Sequence, residues 1–180
     1  MNHFNLFFIL ISSLFFSGCI NNEPHEKSDM MDEILAHHKK YIFSHYPWVL
    51  SMEGGGIPDK VTLFSIGFAF IGPVDVNTAR KYLIDAASNL ESIINRDEKI
   101  RPHLINYPFS INNIEYELVI YDEKKHRVKQ PANSADPNNL AFITLRNGKI
   151  RYLIKNEDSI RFTPVHEETY EEAKLIAEEG

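Results

Sequence analysis

Only one cysteine, Cys19, occurs in this 180-residue chain, so no disulfide can form within it. Positive charge is also scarce. The 19 Lys and Arg against 25 Asp and Glu leave a formal net charge of −6. That balance favours solubility and argues against broad nucleic-acid binding, which needs a basic face. It also argues against the body lying flat on anionic lipid. No apolar run reaches the roughly 20 residues of a membrane-spanning helix. No G-x-S-x-G nucleophile elbow is present. Gly54–Gly55–Gly56 leads into Ile57–Pro58–Asp59, without the Gly-Lys-Ser/Thr and helix of a phosphate cradle, and reads as a turn. His166–Glu167–Glu168–Thr169–Tyr170 carries Tyr where a zinc-binding H-E-x-x-H needs its second His. No repeat or heptad array occurs, and no cofactor or metal is expected.

What the chain does have begins at its N-terminus. Phe4 to Phe16 is an apolar run broken by Asn5, Ser12 and Ser13, the size of a signal-peptide core. It leads into Phe16–Ser17–Gly18–Cys19, two small residues and then the only Cys. This order resembles the lipobox of bacterial lipoproteins. Two positions depart from the family pattern: Phe16 stands where Leu is usual, and Met1–Asn2–His3 lacks Lys and Arg. The alternatives are an ordinary cleaved signal peptide with an incidental Cys, or an uncleaved N-terminal anchor. The resemblance implies cleavage before Cys19 and acylation of its sulfur and new amino group, which would also account for the odd thiol. Residues 1–18 would then be a signal peptide, 19–28 the lipidated Cys and a polar tether, and 29–180 a single domain. The leader has no charged side chain, so the whole −6 belongs to the mature chain. Ile20 is not the Asp of inner-membrane retention. By analogy with the family, that points to the outer membrane facing the periplasm in a host with two membranes.

Hydrophobic periodicity places the elements. Asp29 to His45 has a helical stripe of Met31, Ile34, Leu35, His38, Ile42 and His45, and Pro47 ends it. Trp48 to Met52 is a short candidate strand. Val61 to Ile71 is a central strand with a bulky face (Phe64, Ile66, Phe68, Phe70) and a small one. A second helix is expected over 76–96, capped by Asp75 or Asn77. Ile114 to Asp122 alternates as a strand with one wet face. Asn147–Gly148 joins Leu140–Arg146 to Lys149–Lys155 as a two-residue hairpin pairing Leu145 with Ile150 and Ile143 with Tyr152. Thr163–Pro164 is expected to open a last helix. The fold class is α+β: a four- to five-stranded, mainly antiparallel sheet with helices packed on one face.

The chemistry-bearing residues form no coherent catalytic set. His38 and His45 are seven apart, too far along a helix to share one ion, and His37 is no better placed. Glu115 and Glu117 share a strand face and look solvated. Two surface stretches stand out. Lys124, Lys125, Arg127 and Lys129, with His126, form the one local basic run, suited to lipid phosphates, an anionic envelope polymer or an acidic protein patch. Arg101, His103 and Tyr107 lie in an irregular aromatic stretch of the kind that supplies interface hot spots. The expected function is a non-enzymatic binding or structural module, held to the bilayer through acylated Cys19 and acting on a nearby envelope component. The rival is an envelope-associated hydrolase using a His/carboxylate pair drawn from His103, Glu115 or His166.

Overall fold

The computed structural model describes residues 23–179; the leader, Cys19 and residues 20–22 lie outside the described residues. Helix α1 (Glu23–His45) is followed by strands β1 (Val49–Gly56) and β2 (Leu63–Ile71), then helix α2 (Val76–Arg96). Strands β3 (Ile114–Tyr121), β4 (Phe142–Arg146), β5 (Lys149–Lys155) and β6 (Phe162–Thr169) lead to helix α3 (Tyr170–Glu179). The strands form one six-stranded sheet in sequential order. β2 and β3 are parallel, and the other four neighbouring pairs are antiparallel. No helix of the described residues is long and apolar enough to cross a membrane.

The α+β class holds, but the sheet has six strands and is mixed. Three local readings are corrected. α1 begins at Glu23, so residues 23–28 are helix, not tether. Gly54–Gly55–Gly56 is strand, paired with Ser65, Phe64 and Leu63 at the sheet's edge. Residues 162–169 are strand β6, and α3 starts only at Tyr170. Pro164 is tolerated there because β6 is an edge strand and Pro164 stands at the register shift in its pairing with β5. Other expectations match closely. α2 runs Val76–Arg96, with the Asp75 side chain accepting from the Thr78 N–H at 2.7 Å. The hairpin has the expected register, and its turn residues sit at φ 51° and 69°.

The pairings and contacts give the sheet two ends. One holds the starts of β2 and β3, the start of α1, the end of α2 and the 57–60 loop, where Lys27 Nζ donates to the Asp59 carbonyl at 3.1 Å. The other holds the ends of β2 and β3, where Gly72 N–H donates to the Tyr121 carbonyl, and the end of α1, where Tyr46 stacks on Trp48. The eight paired positions of β2 and β3 put the ends about 25 Å apart at ~3.3 Å per residue.

All three helices cover one face. Buried Phe64, Ile66 and Phe68 of β2, Ile114, Tyr116, Leu118 and Ile120 of β3, and Ile143 and Ile150 of the hairpin meet Ile34, Leu35, Leu83, Leu90 and Ile94 in one core. His38 is wholly buried in it, whereas His45, expected on the same stripe, is exposed at the helix end. His38 Nδ1 lies 2.9 Å from Asn89 Oδ1 and its Nε2 lies 3.0 Å from the Tyr116 hydroxyl. An amide oxygen only accepts, so Nδ1 carries the proton and Tyr116 donates to Nε2. His38 is therefore a satisfied core residue. No group of three or more His, Cys, Asp or Glu among the described residues is placed to hold a metal.

Burial lowers the His38 pKa to about 4, against the opposing effects of the Asn89 hydrogen bond and the Asp85 charge. Between about 4 and the ordinary value of about 6.5 the unfolded chain binds the extra proton, so stability rises with pH across that window. Urea unfolding at a series of pH values should show about 3 kcal/mol lost on acidification from about 6.5 to about 4. A His38→Leu chain should be less stable but should lose that share of the slope.

Candidate functional site

With every helix of the described residues on one side, the opposite face of the sheet carries none of them. Register orders its side chains in rows. Val49 pairs with Ala69, Ala69 with Val119, Val119 with Phe142, Phe142 with Leu153 and Leu153 with Pro164. One apolar residue from each strand thus forms a line across the whole sheet. Val49 is 62% exposed and Phe142 and Leu153 are half-buried, while Val119 is tucked down at 8%. Phe142 also lies 5.3 Å from the Phe162 ring.

The next two rows, toward the end with the start of α1, are polar. The first runs Met52, Gly67, Glu117, Thr144, Arg151 and Glu167. The second contains Gly54, Ser65, Glu115, Arg146, Lys149 and Thr169. Their charges pair. Arg146 Nε lies 3.0 Å from Glu115 Oε1, with Glu117 Oε1 3.5 Å from its terminal nitrogen. Arg151 Nε donates to Glu167 at 2.6 Å, with Lys149 at 3.5 Å from the same carboxylate. The Arg151 hydrogen bond holds the Glu167 carboxyl below its ordinary range. Burial pushes the Glu117 carboxyl up, against the pull of Arg146 and with the push of Glu115. A cleft of about 430 Å³ lies here, lined by Glu117, Phe142, Thr144, Arg146, Arg151 and Leu153 among others. Such an array can engage another surface by apolar contact and ion pairing.

No protein-family model, curated protein or solved structure matches this chain. The site therefore rests on its own geometry.

The residues marked out in the sequence fall in several places. The Arg101 guanidinium sits 4.6 Å over the Tyr107 ring, and Tyr107 is 54% exposed. His103 is in the adjoining 3-10 turn, where its backbone carbonyl accepts from the Val61 N–H. These three are at the end with the start of α1. Lys124, Lys125, Arg127 and Lys129 are exposed at the opposite end, on the turn after β3, and among the described residues none of the four is in an ion pair. The two stretches are thus separate surfaces. Of the three candidates for hydrolysis, His103 is on that 3-10 turn, Glu115 is on the open face paired with Arg146, and His166 is on β6.

The open-face residues Val119, Phe142, Leu153, Arg146 and Arg151 were not marked out in the sequence. The hairpin held the signal: Phe142 and Leu153 are outward apolar residues in direct register across the Asn147–Gly148 turn.

Under the helices, Glu168 is buried. Its Oε1 accepts from Arg80 Nε at 2.8 Å and from the Tyr152 hydroxyl at 2.5 Å, and Arg80 also donates to Asn77. His166 Nε2 lies 3.5 Å from Oε2. Burial alone would raise the Glu168 carboxyl, but the bonds from Arg80 and Tyr152 outweigh it and hold it below its ordinary range. Arg80→Leu strands that carboxylate without its guanidinium, so urea unfolding should show a loss of about 3–5 kcal/mol. Replacing Arg80 and Glu168 together by Leu should cost less than Arg80→Leu alone.

Proposed function

We propose that this chain is a bacterial envelope lipoprotein, cleaved before Cys19 and acylated there, whose folded body is a non-enzymatic docking module. The anchor rests on the lipobox resemblance of Phe16–Ser17–Gly18–Cys19. The docking role rests on one observation above all: a sheet face with a continuous apolar row, bordered by mutually paired charges and covered by no helix or strand of the described residues.

On this reading only Ile20, Asn21 and Asn22 separate the lipid from α1, a reach of about 14 Å at ~3.3–3.6 Å per residue. The end carrying Arg101 and Tyr107 then stands nearest the bilayer. The basic turn at Lys124–Lys129 stands at the far end, turned toward an anionic envelope polymer or an acidic partner and away from the phosphates of its own membrane. Outer-membrane attachment facing the periplasm, in a host with two membranes, belongs to the same proposal. No nucleic-acid role is included.

The rival, a hydrolase, draws on the 3.5 Å contact between His166 and Glu168. That carboxylate already accepts from Arg80 and Tyr152 and is held ionised, which suits it to orient a neighbour more than to donate a proton.

Mass spectrometry of the native protein should find the chain beginning at Cys19 with acyl groups attached, and a Cys19→Ala chain should leave the membrane fraction. An intact leader or a bare sulfur would overturn the anchor. Turnover of envelope polymer by the purified protein, abolished in His166→Ala, would overturn the non-enzymatic role.

A further inference from the structure

We propose that the open face docks a second copy of this chain, sheet face to sheet face, about a two-fold axis parallel to the strands and lying between β3 and β4. The inference rests on the open face being the docking surface and names its partner. Its warrant is the register.

Six strands in sequential order make that axis the midline of the sheet, so the two-fold sets β3 opposite the partner's β4, β2 opposite β5 and β1 opposite β6. Each row then meets its own copy read backwards. In the apolar row, sunken Val119 faces Phe142 of the other copy, small Ala69 faces Leu153, and Val49 faces Pro164. Large meets small at the centre, as packed sheet faces require.

The charges also match. In the outer polar row, Glu115 of each copy faces Arg146 of the other, and Ser65 faces Lys149. In the middle row, Glu117 faces Thr144 and Gly67 faces Arg151. No acidic side chain on the face meets another, and no basic one does. This matters because the chain as a whole is at −6 and two copies repel at long range. The face where they meet must be locally complementary, and it is. The reverse pairing, with one copy turned end over end about the middle row, sets the apolar row against the outer polar row.

The size is adequate. Six strands about 4.8 Å apart and three rows of side chains cover about 30 by 20 Å. That is about 600 Å² in projection. Accessible area exceeds projected area, so the face is comparable with the ~800 Å² per partner of a standard interface. The axis also agrees with the proposed anchor. It points both copies' α1 starts the same way, so two chains tethered in one membrane meet with their apolar rows level, and confinement to that membrane raises their effective concentration.

The test uses charge reversal in the native protein extracted in detergent, with protein mass read by light scattering. Wild type should give twice the chain mass. Glu115→Arg places Arg against the other copy's Arg146 twice, and Arg146→Glu places Glu against Glu115 twice. Each variant alone should self-associate at least tenfold more weakly. Mixing the two chains restores Glu–Arg contacts at both places, so the mixture should return to twice the chain mass. Recovery on mixing also shows that both variants fold. A Cys19→Ala chain should give the wild-type mass, so failure of the anchor leaves this result standing. Monomeric wild type, or a mixture that stays monomeric, would overturn the second copy as partner. If wild type is monomeric while Phe142→Glu loses a different envelope protein in a pull-down, the docking face stands and the self-pairing falls.

Discussion

Because α2 carries the chain from the end of β2 back to its start, β3 must run parallel to β2, and the rest of the architecture follows from that crossover. A parallel connection needs a crossover of a dozen or more residues, and α2 supplies it on one face of the sheet. α1 and α3 then pack beside α2 and bury their apolar stripes against the same face of the sheet, α1 over β1 and α3 over β5 and β6. Every later connection joins antiparallel neighbours, so the strands add in order and the sheet grows outward without closing. Among the described residues one face receives all the helices and the other receives none.

α2 is also where the layers are fastened. Along its length Arg80 reaches Glu168 of β6, Asp85 accepts from Tyr41 and Tyr46, Ser88 meets the Tyr170 hydroxyl, and Asn89 meets His38. These groups are buried or half-buried, so each is costly to leave unpaired. A slip of α2 by one turn would break all four links together. Apolar packing alone tolerates such slips more readily, which is why buried polar contacts of this kind fix alignment as well as adding stability.

Much of this was legible locally and some was not. α2 announced itself through its stripe and Asp75 cap, and the Asn147–Gly148 hairpin through turn chemistry and matched register. Both signals lie within about 20 residues of sequence. β6 was hidden because its helix-facing positions include His166 and Glu168, polar residues that break the expected alternation. Glu168 is tolerable there only because Arg80, 88 residues away, meets it. Thr163–Pro164 and the acidic residues after it imitate a helix start. Gly54–Gly56 was hidden for a different reason: an edge strand holds its shape through backbone pairing and needs no side chains of its own. The open-face site was least visible. Its apolar row is one residue deep in each strand and becomes a row only once six strands are in register.

α1 spans the body from one end to the other, 23 residues or about 34 Å at ~1.5 Å per residue. It lies along the sheet, with Met31, Ile34, Leu35, His38 and Ile42 spaced down its buried side. A force pulling on Glu23 therefore runs lengthwise through the helix and loads those contacts in shear, several at once. Peeling, in which contacts give way one after another, would need a pull across the helix. On the proposed anchor, the body would hang from its first helix and meet a pull along the direction in which those contacts share the load.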